Sequence, residues 1–168
     1  MIKFYRLREL AFRPWTIGVV SLLAGLVYGA YGAANSSGAA RLHHLSYMTP
    51  IAVPFVAFTI ERLENLLTLK MWPLLLDALV VALALSRVFY PVPFISGHVL
   101  FLTYALLTVR RRVSRVFAAL VLLQTLVLKV FFWRDLRTPF GGIILGVLGA
   151  AIYHKILKGY QQSCNGKA

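Results

Sequence analysis

The residues best suited to chemistry lie in two short polar segments, Phe94-Ile95-Ser96-Gly97-His98 and Arg134-Asp135-Leu136-Arg137-Thr138. Arg87 and Lys129 stand just inside the apolar stretches that flank them. Ser96 is a favoured residue type at a helix start, and Gly97 lets backbone come close to a ligand. The N–H groups and dipole of a helix N-terminus attract anions. A His placed there can give a proton to a leaving oxygen, and Arg134 and Arg137 can grip phosphate oxygens in bidentate fashion. The ensemble suits a phosphate group, with Arg87, Ser96, Gly97, Lys129, Arg134 and Arg137 as its binding residues. For Arg87 and Lys129 the alternative is snorkelling to lipid headgroups. For Asp135 it is a loop ion pair or helix cap beside Arg134 and Arg137.

The rest of the chain looks like what is needed to hold these segments in a bilayer. Hydrophobic residues make up 60% of the 168 residues and charged residues 14%, against about 25% charged in a soluble domain. Several apolar runs approach the roughly 20 residues that a spanning helix requires. The pattern predicts an all-α, polytopic membrane protein with six helices. The spans are Trp15–Ala34, Ser46–Ile60, Trp72–Val88, Gly97–Val109, Val113–Trp133 and Pro139–Leu157. Residues 1–160 form one transmembrane domain, and Gln161–Ala168 a disordered polar tail. Pro50 and Pro54 are expected to kink the second span. The basic N-terminus, the apolar stretch and Gly32-Ala33-Ala34 resemble a signal sequence, but the stretch is read as the first span.

The net charge of +13 does not point to nucleic acid, because the cations alternate between loops rather than forming one patch. With the N-terminus inside, the inner segments hold Lys3, Arg6, Arg8 and Arg13, then Arg62 and Lys70, then Arg110, Arg111, Arg112 and Arg115, then Lys155, Lys158 and Lys167. The outer ends hold only Arg41, Arg87, Lys129, Arg134 and Arg137. This asymmetry predicts both termini in the cytoplasm, with Arg110–Arg112 as a stop-transfer anchor and the setting a bacterial or archaeal cytoplasmic membrane. Gly25/Gly29 and Gly142/Gly146 are small-xxx-small pairs. They serve close helix packing in one bundle or a homo-oligomer through the first and last spans. Asp77 reads as a buried, hydrogen-bonded carboxyl joining helices, Gln124 and Thr125 as interhelical bonds, and Glu61, Arg62 and Glu64 as solvated interfacial charges. The single Cys164 excludes a disulfide framework, and no metal-ligand spacing occurs.

On these residues the chain resembles the type 2 phosphatidic acid phosphatase superfamily, membrane-embedded enzymes acting on lipid phosphates. The superfamily's Pro-Ser-Gly-His motif opens its fourth span on the outer side; the matching residues here are Ile95-Ser96-Gly97-His98. Its third motif places a His six residues after an Arg and an Asp four further on. Here Lys129 stands at the Arg, Asp135 at the nucleophilic His and Pro139 at the orienting Asp. Gly142 and Gly146 resemble the Gly-rich start of the last span. The first motif, a Lys with Arg-Pro seven residues on, has only Arg87 and Pro91 in the corresponding connection. The resemblance covers about Arg87–Leu157. It implies attack on phosphorus, with His98 protonating the leaving alcohol and Asp135 as a carboxylate nucleophile. Arg87, Lys129, Arg134 and Arg137 would neutralise the developing charge.

Two functions follow. One is a lipid-phosphate phosphatase or phosphotransferase at the outer leaflet. The other is a non-catalytic protein: a lipid-binding or transport component, or a subunit of a membrane complex. The partners expected are membrane lipids and a phosphorylated lipid. A haem or quinone anchor would need two rings facing each other at depth, whereas His43, His44 and His98 lie near span starts. No cofactor and no metal are therefore expected.

Overall fold

Long apolar runs become helices, three of which carry a proline in the first turn. The computed structural model describes residues 49–67, 71–89 and 94–165, with the single positions Val19, Leu23, Val27, Ala30, Ala34, Asn35 and Gly38. Among the described residues the regular elements are helical, with no strand. A short 3-10 turn, Thr49–Ile51, leads into α1, Ala52–Leu67; then come α2, Met71–Phe89, and α3, Gly97–Thr108. Helix α4, Arg112–Val127, runs on into a π-turn, Leu128–Phe132, and α5 is Arg137–Asn165. Pro54, Pro73 and Pro139 each sit third in their helix, in the first turn. No helical hydrogen bond is lost there. Pro54 therefore starts α1 and does not kink it. The helix begins later than the expected second span and runs seven residues beyond Ile60. Likewise α5 continues through the expected disordered tail as far as Asn165.

Among the described residues two helical stretches, Arg112–Phe131 and Arg137–Gln162, are long and apolar enough to cross a membrane. Their outward faces carry stripes of exposed hydrophobics, Val116, Leu120, Leu123 and Val127 on α4 with Phe131 in the π-turn, and Phe140, Ile144, Leu148 and Ile152 on α5. Apolar surface on this scale requires a lipid or protein neighbour. Met71–Ser86 and Gly97–Thr108 are shorter apolar helices. Of the expected first span, Val19, Leu23, Val27, Ala30 and Ala34 are helical. Its glycines, with His43 and His44, lie outside the described residues.

The core is built around α3, which is apolar on every side and touches α2, α4 and α5. Val99, Leu100, Phe101, Leu102, Tyr104 and Ala105 are at most 3% exposed. Its closest neighbour is α5, and glycine is the reason. A Cβ on Gly142 would lie 2.9 Å from the Ser96 carbonyl oxygen, and one on Gly146 would lie 2.7 Å from Thr103 Cβ and 3.0 Å from the Leu100 carbonyl oxygen. The Gly142/Gly146 pair therefore serves packing inside this chain, and that face of α5 is covered by α3.

At the far end of α3 a polar cluster is buried among aromatic rings. Arg62 Nε lies 3.0 Å from Asp77 Oδ2, and its Nη2 donates to Thr108 Oγ1 at 2.6 Å. Tyr104 donates its hydroxyl to Asp77 Oδ1 at 2.6 Å. The guanidinium stacks on Phe58 and Tyr153, 4.4 and 4.6 Å from the ring centroids. Glu61 accepts the backbone N–H groups of Arg110 and Arg111, at 2.8 and 3.3 Å. Glu61 and Arg62 are thus 6% and 7% exposed. They are not solvated charges, because α1 extends past Ile60 and turns both toward its neighbours. Asp77 does join helices, bonding to α1 and α3 at once. Losing either half of such a pair strands a buried charge, which costs about 3–5 kcal/mol.

The glycine contact makes a direct prediction. Gly146→Leu should destabilise the protein in detergent by about 1–3 kcal/mol or more, because neither the Thr103 side chain nor the Leu100 backbone can withdraw. Gly159→Ala, where a Cβ meets nothing within 4 Å, should be neutral or stabilising by up to about 1 kcal/mol. Thermal unfolding of the two variants checks this; equal melting temperatures would remove the packing role assigned to Gly146.

Candidate functional site

The two polar segments meet where α3 and α5 begin. Gly141 makes this possible: a Cβ there would collide with the Phe94 carbonyl oxygen. The first turn of α5 therefore lies directly against the segment leading into α3. The Ser96 N–H donates to the Thr138 carbonyl at 2.9 Å, one backbone bond joining the two segments.

Ser96 sits at the N-cap of α3 with extended backbone, but its hydroxyl makes no capping bond. The residue is fully buried, and among the described residues its Oγ has no hydrogen-bond partner. An unsatisfied buried hydroxyl costs about 1–3 kcal/mol. Thr103 and Ser114 also carry buried hydroxyls of this kind, but Ser96 is the one whose backbone N–H bonds to the start of α5, at Thr138. Gly97 is buried too. A Cβ there would clash with the Ala84 carbonyl oxygen and lie 3.0 Å from its carbon. Here the missing side chain admits helix α2, where the sequence reading expected a ligand. His98, in the first turn of α3, is half-buried.

Lys129 points inward. It lies on the stripe Ala118, Val121, Thr125, Lys129, all buried, and is itself 6% exposed, so it does not snorkel. The π-turn after Val127 puts one extra residue into the last turn. The Trp133 N–H reaches back to the Leu128 carbonyl at 3.2 Å, and the Asp135 N–H to the Lys129 carbonyl at 3.0 Å. Arg134 adopts a left-handed backbone, φ 50°, a conformation that costs a non-glycine residue roughly 1–2 kcal/mol. The strained reversal carries Asp135 back over Lys129.

The result is a closed polar cluster. Lys129 Nζ contacts Asp135 Oδ2 at 3.2 Å and donates to Thr138 Oγ1 at 3.0 Å. Thr138 N–H donates to Asp135 Oδ1 at 3.1 Å, and Thr138 Oγ1 donates to Asp135 Oδ2. Three donors thus surround one carboxylate, much as they would surround a phosphate oxygen. Burial pushes the Asp135 carboxyl upward, but the Thr138 side-chain and backbone hydrogen bonds and the Lys129 ammonium outweigh it, and the pKa falls below the usual carboxylate value. Asp135 also caps the first turn of α5 through the Thr138 N–H.

Of the residues named from sequence, Ser96, Lys129 and Asp135 are linked through Thr138, and Gly97 and His98 continue from Ser96. Arg134 and Arg137 are exposed beside the cluster. Arg87 is in the last turn of α2, one turn beyond Ala84, and its side chain lies outside the described residues. Sequence reasoning assigns Thr138 no role, yet it bonds to Ser96, Lys129 and Asp135. The signal for it was the Asp-x-x-Thr spacing at the start of a helix.

Because the folded Asp135 pKa lies below an unfolded value near 3.9, its ionised form contributes stability above about pH 4 that is lost as pH falls through the folded value. The stability difference between the natural chain and Asp135→Asn should therefore be constant between roughly pH 6 and 8 and shrink below about pH 4. Denaturation as a function of pH measures it; a gap that widens in acid would contradict the ion pair. No family model, curated protein or solved structure matches the chain.

Proposed function

We propose that this chain is a six-span membrane protein, termini on the cytoplasmic side, that binds the phosphate of a phosphorylated lipid at the outer leaflet without hydrolysing it. The observation that carries the reading is the Ser96 hydroxyl, fully buried and without a partner among the described residues, at the start of α3 on a residue whose backbone N–H bonds to Thr138 of the cluster. A phosphate oxygen would accept its hydrogen bond and meet the positive end of α3. Arg134 and Arg137 at the surface would draw the anion in, and His98 would contact its rim. Asp135 holds Lys129 as an internal counterion, and an arriving phosphate would replace the carboxylate on the ammonium.

Binding is better supported than turnover. The residue in the superfamily's nucleophile position is Asp135, and both its oxygens accept hydrogen bonds within the cluster. A carboxylate whose basicity is lowered in this way is a poor nucleophile for phosphorus. Pro139, at the position of the orienting Asp, has no side-chain acceptor.

Purified protein in nanodiscs should bind a short-chain lipid phosphate, and Ser96→Ala or His98→Ala should weaken binding by about tenfold, the equivalent of one charge-assisted hydrogen bond. Phosphate release should stay at background. Release that Asp135→Asn abolishes would make the protein a phosphatase. Absence of binding to any lipid phosphate would overturn the reading.

A further inference from the structure

The opposite end of the bundle carries a second feature that the two-segment site does not use. Helix α4 opens on Arg110-Arg111-Arg112 with Arg115 one turn on, and no acidic residue stands in its first turn. Glu61, the acid that reaches this turn, bonds to the backbone N–H groups of Arg110 and Arg111. Arg115 Nε folds back onto the Val109 carbonyl at 2.8 Å. Arg110 and Arg112 are exposed. At Arg112 runs an open groove of about 280 Å³ lined by Arg112, Val113, Val116 and Phe117. Its floor is apolar, and it continues into the exposed stripe of Val116, Leu120 and Leu123.

A cationic head on an apolar groove sets the occupant's chemistry. A free anion would leave the groove unfilled. A zwitterionic lipid would bring its own cation toward the arginines. We propose that the start of α4 holds one anionic glycerophospholipid, its phosphate and headgroup on Arg110 and Arg112 and the upper part of one acyl chain in the groove. The site is separated from Ser96 by the length of α3, about 18 Å for its 12 residues. Two surface arginines acting on one anionic lipid contribute about tenfold or more in affinity.

Native mass spectrometry of the full chain in neutral detergent tests this, with dioleoyl-phosphatidylglycerol, dioleoyl-phosphatidylcholine and soluble glycerol phosphate as probes. Phosphatidylglycerol should bind about tenfold more tightly than phosphatidylcholine. Arg110→Gln with Arg112→Gln should abolish that preference. Val116→Trp, which fills the groove, should lower binding of both lipids. These positions are exposed, so unchanged melting temperatures are expected for their variants. Equal binding of the two lipids, full binding by the double Gln variant, no effect of Val116→Trp, or competition by glycerol phosphate at matched concentration would each overturn the proposal.

Discussion

Because Gly142 and Gly146 put no side chain between α5 and α3, the two backbones close until Ser96, Leu100 and Thr103 line the contact. That approach fixes where the helices begin relative to one another, and so where Ser96 meets Thr138. With bulkier residues there, α5 would stand away from α3 and the Ser96–Thr138 hydrogen bond would break. Close backbone packing is also what helix association requires where lipid supplies no hydrophobic drive. The candidate site is thus set by the packing of the bundle, and its cluster follows from which side chains stand at the helix starts.

Charge is then distributed under a second constraint. The chain has five acidic residues against 18 basic ones, and each acid whose side chain is described has an internal partner. Glu61 holds the turn into α4, Asp77 holds Arg62 and Tyr104, and Asp135 holds Lys129 and Thr138. Two of these hold cations that have been drawn inside, where an isolated charge is costly. Arg110, Arg112, Arg134 and Arg137 remain at the surface, at or beyond the two opposite ends of α4 and its π-turn.

Much of the helical organisation was legible because its signals are local. Proline in the first turn, uninterrupted apolar runs and basic clusters placed α2, α3, α4 and the start of α5 within a few residues, while the end of α5 runs eight residues past the expected Leu157. The second span was misplaced because Pro54 reads equally as a kink or a start, and only the contacts of Arg62 and Glu61 decide between them. The helical stripe through Thr125 already turned Lys129 inward, so its burial was readable. Its pairing was not, because a π-turn and the left-handed Arg134 lie between Lys129 and Asp135, and neither has a sequence signature. Gly97 misled for a related reason: a residue without a side chain admits a helix as readily as a ligand, and the choice depends on α2.

Under the proposed function, Lys129 exchanges the Asp135 carboxylate for a lipid phosphate. Solid-state NMR on protein labelled with ¹⁵N-lysine, in bilayers containing a phosphorylated lipid, can observe this directly through ¹⁵N–³¹P dipolar dephasing. Lys129→Met would assign the signal. Dephasing of the Lys129 ammonium by phosphorus is expected when the lipid is added. Bound lipid with no dephasing at Lys129 would contradict it and leave the Lys129–Asp135 pair as a structural bridge between α4 and α5.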